Sequence, residues 1–120
     1  AVVGWMARQH AAALFTTAIT RGELLSGVRR LPAGRGREAL LDGLSRLFDV
    51  QLSGRVLDYD SDAADVYAEV AVARRTSGRP MSQSDAMICG IVRSRGAQLA
   101  TRNMSDFDDC GIAVIDPWKR

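Results

Sequence analysis

The clearest pattern lies between Arg35 and Val50, where Leu40, Leu41, Leu44, Leu47 and Phe48 recur at helical spacing. That stripe predicts an amphipathic helix with one apolar face. Upstream, Val2 to Gln9 reads as the end of a helix, and the short β-prone run Leu14 to Thr17 as a strand. Ala18 to Val28 returns to helical spacing through Ile19, Leu24, Leu25 and Val28, and Leu31-Pro32-Ala33-Gly34 breaks it. Downstream, Arg55 to Tyr59 is expected as a strand. A helix capped by Asp60 or Ser61 should run to Thr76, burying Ala64, Tyr67, Ala68 and Ala71 and stopping at Gly78-Arg79-Pro80. Ser84 to Arg95 is another helix, with Met87, Ile88, Ile91 and Val92 on one side and Gly96 as its stop. Gln98 to Thr101 and Ile112 to Ile115 read as strands, joined through a helical turn from Ser105 to Cys110 that ends at Gly111.

Helices alternating with short apolar strands predict an α/β fold, its central, mostly parallel sheet flanked by helices. At 120 residues the chain is expected to be a single domain, 1–120, with a core of its own. It shows no repeat, low-complexity tract or internal linker. No apolar run approaches the roughly 20 residues that span a bilayer, and no secretory signal is present. The expectation is therefore a cytoplasmic protein with no membrane association. Cys89 and Cys110 form no CxxC and read as small, reduced core residues. His10 is the only histidine, so neither a histidine-based metal site nor a Ser/His/Asp or Cys/His set can be assembled. No GxGxxG or GxxxxGK[ST] loop is present.

The net charge of +2 is modest, but fifteen of the sixteen basic residues are arginine. Arginine forks match phosphates bidentately and stack on bases. A coding bias toward arginine explains the same count. Arg29-Arg30 with Arg35 and Arg37, and Arg74-Arg75 with Arg79, form two clusters. Each reads either as a solvated helix end favoured by the helix dipole or as a contact for phosphates.

Three acids stand at comparable places beside the predicted elements. Thr20-x-x-Glu23 and Ser82-x-x-Asp85 both fit a capping box, and Asn103 or Ser105 can cap the turn that holds Asp106. On that reading each carboxylate serves its own helix. Taken together they support another reading, because sites in open parallel sheets form beyond the carboxyl ends of strands. Glu23 follows the first strand, Asp106 follows Gln98 to Thr101, and Asp85 opens the helix leading into that strand. Carboxylates without histidine or cysteine favour a hard cation, Mg²⁺ or Mn²⁺. Such a cation lowers the pKa of bound water and serves phosphoryl chemistry.

The run Thr16-Thr17-Ala18-Ile19-Thr20-Arg21-Gly22-Glu23-Leu24-Leu25-x-Gly27-Val28, followed by Leu31-Pro32-x-Gly34-Arg35, resembles the PIN-domain ribonucleases, and within them the VapC and FitB toxins. Gly78-Arg79-Pro80-x-Ser82-x-x-Asp85-Ala86, Gly96-Ala97-x-Leu99-Ala100-Thr101-Arg102-Asn103-x-x-Asp106-Phe107 and Ile115-x-Pro117-Trp118 fit the same branch in order and spacing. The resemblance covers essentially the whole chain. It implies a three-layer PIN-like fold and a Mg²⁺- or Mn²⁺-dependent endoribonuclease toxin that hydrolyses RNA phosphodiester bonds. Glu23, Asp85 and Asp106 match three of the family's four acidic positions and would be metal ligands and catalytic groups. Thr101 and Asn103 would support them, and Arg102 beside them reads either as a solvated loop arginine or as a contact for substrate phosphate. The implied partners are a cognate VapB/FitA-like antitoxin and a second copy of the chain. Trp5, Trp118 and the segment around Leu24-Leu25 are candidates either for those surfaces or for the core.

The family's first acid ends an N-terminal strand that has no counterpart before Ala1. The chain is therefore expected to be an N-terminally incomplete domain, and a fragment that only binds antitoxin or a sister chain is the alternative reading. A phosphoacceptor signalling domain is also α/β with clustered acids, but it needs a lysine at the end of a late strand. The only lysine, Lys119, lies past Pro117.

Overall fold

In the computed structural model, residues 14–101 and 103–117 are described. The readings placed on Val2 to Gln9, His10, Arg102 and Trp118 therefore lie outside the described residues. The chain gathers into two compact units, one reaching to Asp58 and the other beginning at Tyr59.

In the first unit the predicted strand forms over Thr16–Thr17 (β1). It runs parallel to Val56–Leu57 (β2), with Thr16 opposite Val56 and Thr17 opposite Leu57. Pairing holds Thr17 in extended backbone, φ −118° and ψ 155°, and helix α1 (Ala18–Arg29) starts at the next residue. Thr17 is the cap: its hydroxyl accepts the Thr20 N–H at 3.0 Å. The capping box expected at Thr20 and Glu23 is thus displaced, because the strand ends three residues earlier than that template requires.

Helix α2 (Arg35–Arg46) follows the break. The long helix expected to Val50 then widens into a π-helical turn, Leu47–Gln51, where the Leu52 N–H reaches the Leu47 carbonyl at 2.8 Å. The widened turn resets the helical phase. Phe48 is its buried residue, with the Arg21 guanidinium 5.1 Å from the ring centroid and 3.3 Å from the Asp49 carboxylate. Within this unit the leucine stripe is only half covered: Leu41 and Leu44 are half-buried and Leu40 is exposed.

In the second unit, helix α3 (Ser61–Thr76) is capped by Asp60, whose carboxylate accepts the Ala63 N–H at 2.9 Å. Arg95 pairs with the same carboxylate at 3.2 Å. The Ala63 N–H above all holds Asp60 below its ordinary value of 3.8, opposed in part by desolvation and helped by the Arg95 charge. A carboxyl depressed in the folded chain stabilises it above the unfolded pKa, and that contribution fades as pH falls through the folded value. Asp60→Asn should therefore flatten the acid limb of a melting-temperature profile below pH 4 and leave its shape at neutral pH unchanged.

Helices α3 and α4 (Gln83–Ser94) both end in a Schellman motif. The N–H groups of Gly78 and Arg79 bond to the carbonyls of Arg75 and Arg74, and those of Gly96 and Ala97 to Arg93 and Val92. Gly78 (φ 77°) and Gly96 (φ 63°) take the left-handed conformation this requires. Helix α4 is buried on more than the one side expected, through Ala86, Ile88, Cys89, Gly90, Ile91 and Val92. It packs along α3 at very short range, since a Cβ on Gly90 would stand 2.4 Å from the Ala63 carbonyl oxygen. That approach rotates α3 relative to expectation. Its buried line is Ala63, Val70 and Arg74, while Ala64, Tyr67 and Ala71 are half-buried and Ala68 is exposed.

Strand β3 (Gln98–Ala100) pairs in parallel with β4 (Ala113–Ile115). Between them lies one 3₁₀ turn, Met104–Phe107, with Phe107 buried. Cys89 and Cys110 are free, buried thiols, as expected. Burial, then the neighbouring Cys110, pushes the Cys89 thiol far above its ordinary range, so it stays protonated. Among the described residues no helix is long and apolar enough to cross a membrane.

Candidate functional site

The turn that carries Asp106 is built in two steps from the end of β3. The Thr101 N–H extends the ladder to the Ile115 carbonyl at 2.9 Å. Its hydroxyl then accepts the Asn103 N–H at 3.1 Å, a local turn of the kind threonine favours. The Asn103 carbonyl in turn accepts the Asp106 N–H at 3.1 Å. Thr101 acts through its side chain, whereas Asn103 acts through its backbone, since its side chain makes no cap hydrogen bond. Asp106 itself is exposed.

Asp85 sits in the first turn of α4, where the positive end of the helix dipole favours a carboxylate. The Ser82 hydroxyl accepts its backbone N–H at 3.1 Å, so the serine half of the capping box is made. No return bond from the Asp85 carboxylate is present among the described residues. Glu23 lies in the interior of α1, exposed, well past the cap at Thr17.

The capping explanation therefore accounts for the backbone at these positions and not for the acids. Among the described residues, no hydrogen bond or ion pair engages the carboxylates of Glu23, Asp85 or Asp106. Five other acids are committed: Asp49 to Arg21, Glu69 to Arg93, Asp60 to Arg95, and Asp108 and Asp109 to Arg79. Asp85 and Asp106 belong to one unit, where the 3₁₀ turn packs against α4. Glu23 belongs to the other. Among the described residues, no group of three or more His, Cys, Asp or Glu side chains forms a cluster able to hold an ion. The donor chemistry of the three acids, oxygen only and uncommitted, is the kind that Mg²⁺ and Mn²⁺ take.

One residue escaped the sequence reading. Arg74 looked like part of a solvated cluster, yet it is only 6% exposed. Its Nε donates to the Arg79 carbonyl at 2.6 Å, and its Nη1 donates to the carbonyls of Asp108 at 2.5 Å and Asp106 at 3.4 Å. The signal was its place on α3, four residues after buried Val70 and eleven after buried Ala63. Arg79, from the same predicted cluster, reaches Asp108 at 3.5 Å and Asp109 at 3.1 Å. Arg75, Arg29, Arg30 and Arg35 are exposed, as a solvated or phosphate-facing role requires.

Comparison with known proteins gives a consistent result. Residues 1–111 match the family described as PIN domain. The chain is 34% identical to VapC ribonuclease Y4jK of Sinorhizobium fredii, over 99% of this chain and 85% of that protein. It is 28% identical to toxin FitB of Neisseria gonorrhoeae, over 98% of this chain and 84% of that one. The crystal structure of FitAcB from Neisseria gonorrhoeae superposes with a TM-score of 0.86 at 28% identity, covering 98% of this chain and 85% of that one. The α/β, PIN-like fold expected from the sequence is thus the fold observed.

Proposed function

The chain belongs to the PIN-domain family, and from that premise we propose that it is a divalent-metal-dependent endoribonuclease toxin that hydrolyses RNA phosphodiester bonds. Its VapC ribonuclease relative supports the nuclease reading. The observation that carries the site is that Glu23, Asp85 and Asp106, the acids singled out by the family resemblance, offer carboxylates that no described residue engages. Asp85 and Asp106, which lie in one unit, would be ligands of Mg²⁺ or Mn²⁺. A bound cation would supply positive charge against the phosphate oxygens and would lower the pKa of a bound water toward neutrality. The protein's own part is placement. Ser82 fixes the first turn of α4 under Asp85, and the relay from Thr101 through Asn103 fixes the turn under Asp106.

RNA cleavage should vanish in excess EDTA and return on addition of Mg²⁺ or Mn²⁺. Cleavage of a labelled RNA at an unchanged rate in EDTA would remove the metal from the mechanism. The proposed protein partner is a VapB/FitA-like antitoxin. The first unit leaves large apolar side chains exposed at Leu24, Leu31, Leu40 and Val50, which suits a protein surface. A homodimer and a cytoplasmic location complete the proposal.

A further inference from the structure

Arg74 is a charged side chain buried without a carboxylate partner among the described residues. Burying a guanidinium is costly unless its donors are satisfied. Here Nε and Nη1 are satisfied by backbone carbonyls from two separate loops. One is the Arg79 carbonyl, in the stop that leads through Pro80 into Ser82 and Asp85. The other loop supplies the carbonyls of Asp106 and Asp108, at the end of the 3₁₀ turn. The Schellman motif returns the first contact, since the Arg79 N–H bonds to the Arg74 carbonyl at 2.9 Å. On the exposed side, Arg79 holds the carboxylates of Asp108 and Asp109, so the same loop is gripped from within and without.

We propose that Arg74 is a positioning residue for the metal site, its single guanidinium tying the loop that leads into the helix of Asp85 to the turn that carries Asp106. This rests on the reading of those acids as metal ligands. Only arginine presents donors in a rigid planar fork with enough span to reach both loops at once. Lysine offers one compact ammonium on a flexible stem. It can keep the charge while losing one of the two loops. Arg74 touches neither metal nor RNA in this scheme. It acts through the backbone of Asp106 and of the segment before Asp85.

The test uses the full chain with Arg74→Lys and Arg74→Met. Three readouts are taken: the thermal melt, amide hydrogen exchange by peptide, and Mn²⁺ affinity by electron paramagnetic resonance. Faster exchange over 79–82 and 104–109, unchanged exchange over 86–92, and Mn²⁺ affinity about tenfold weaker in folded Arg74→Lys are expected, in line with the loss seen when residues supporting metal ligands are altered. Cleavage should be recovered in part at high Mn²⁺, with RNA affinity in EDTA unchanged. Loosened loops with wild-type Mn²⁺ affinity, or loops that do not loosen, would overturn the proposal. If neither variant folds, Arg74 is a residue of the core and its positioning role is overturned. Failure of the wild-type chain to bind Mn²⁺ would instead overturn the metal reading itself, and hydrogen exchange would separate that result from a failure of the Arg74 clasp.

Discussion

Asp85→Asn should lower RNA cleavage by at least about 100-fold, because the charge stabilisation a metal supplies is worth several kcal/mol and each 1.4 kcal/mol or so is tenfold. It should also abolish saturable Mn²⁺ binding. The substitution is nearly isosteric, and the backbone N–H that bonds to the Ser82 hydroxyl is retained. Helix α4 therefore stays capped, and the fold loses only the attraction between a carboxylate and the helix dipole, about 0.3–1 kcal/mol. The two explanations of Asp85 separate on this point. If the carboxylate serves the helix, the variant melts slightly earlier and cleaves RNA as before. If it serves a cation, the melt shifts by the same small amount and cleavage is lost. A rate within threefold of the wild type would sink the metal assignment at this residue.

The backbone around the three acids was legible where local chemistry decides it. Asp60 and Ser82 cap their helices as their sequence positions suggest, and Gly78 and Gly96 stop theirs, because a cap or a left-handed glycine needs only its own neighbours. Thr17 and Thr20 show where local templates fail. Both are threonines at the mouth of one helix, and the choice between them is made by β2, some forty residues away, which pairs with Thr17 and keeps it extended. The face of α3 is a similar case. Its run of small and apolar residues allows several stripes, and one residue of offset is about 100° around a helix. The close approach at Gly90 selects the stripe through Ala63. Arg74 was illegible for the same reason. A charge next to Arg75 at a helix end reads as solvated until the loops that receive its fork are known. The acids of the candidate site were found because a motif carried them. What the sequence hid was that none of the three carboxylates is spent on a cap among the described residues.

Gly90→Ala should destabilise the second unit by up to about 2 kcal/mol. Two effects oppose each other here. Alanine is the better helix former by about 1 kcal/mol, which alone would raise stability. Against it stands a Cβ placed 2.4 Å from the Ala63 carbonyl oxygen and 3.1 Å from the Tyr67 backbone nitrogen. Both obstacles are backbone of α3, so no side chain can turn aside to make room. The helices must separate, and overpacking of this kind costs about 1–3 kcal/mol. Separation also opens the contacts beneath, where Val70 and Ile91 are buried. Gly43→Ala supplies the opposite sign: Gly43 lies within α2, and a Cβ there meets nothing within 4 Å. Propensity then acts unopposed, and that variant should gain up to about 1 kcal/mol. Urea or thermal melts of the two variants beside the wild type decide the matter. A Gly90→Ala chain as stable as Gly43→Ala would mean that α3 and α4 do not meet backbone to backbone. The same separation displaces Arg74 on α3 from the loops that receive its guanidinium, so cleavage by folded Gly90→Ala should fall along with its stability.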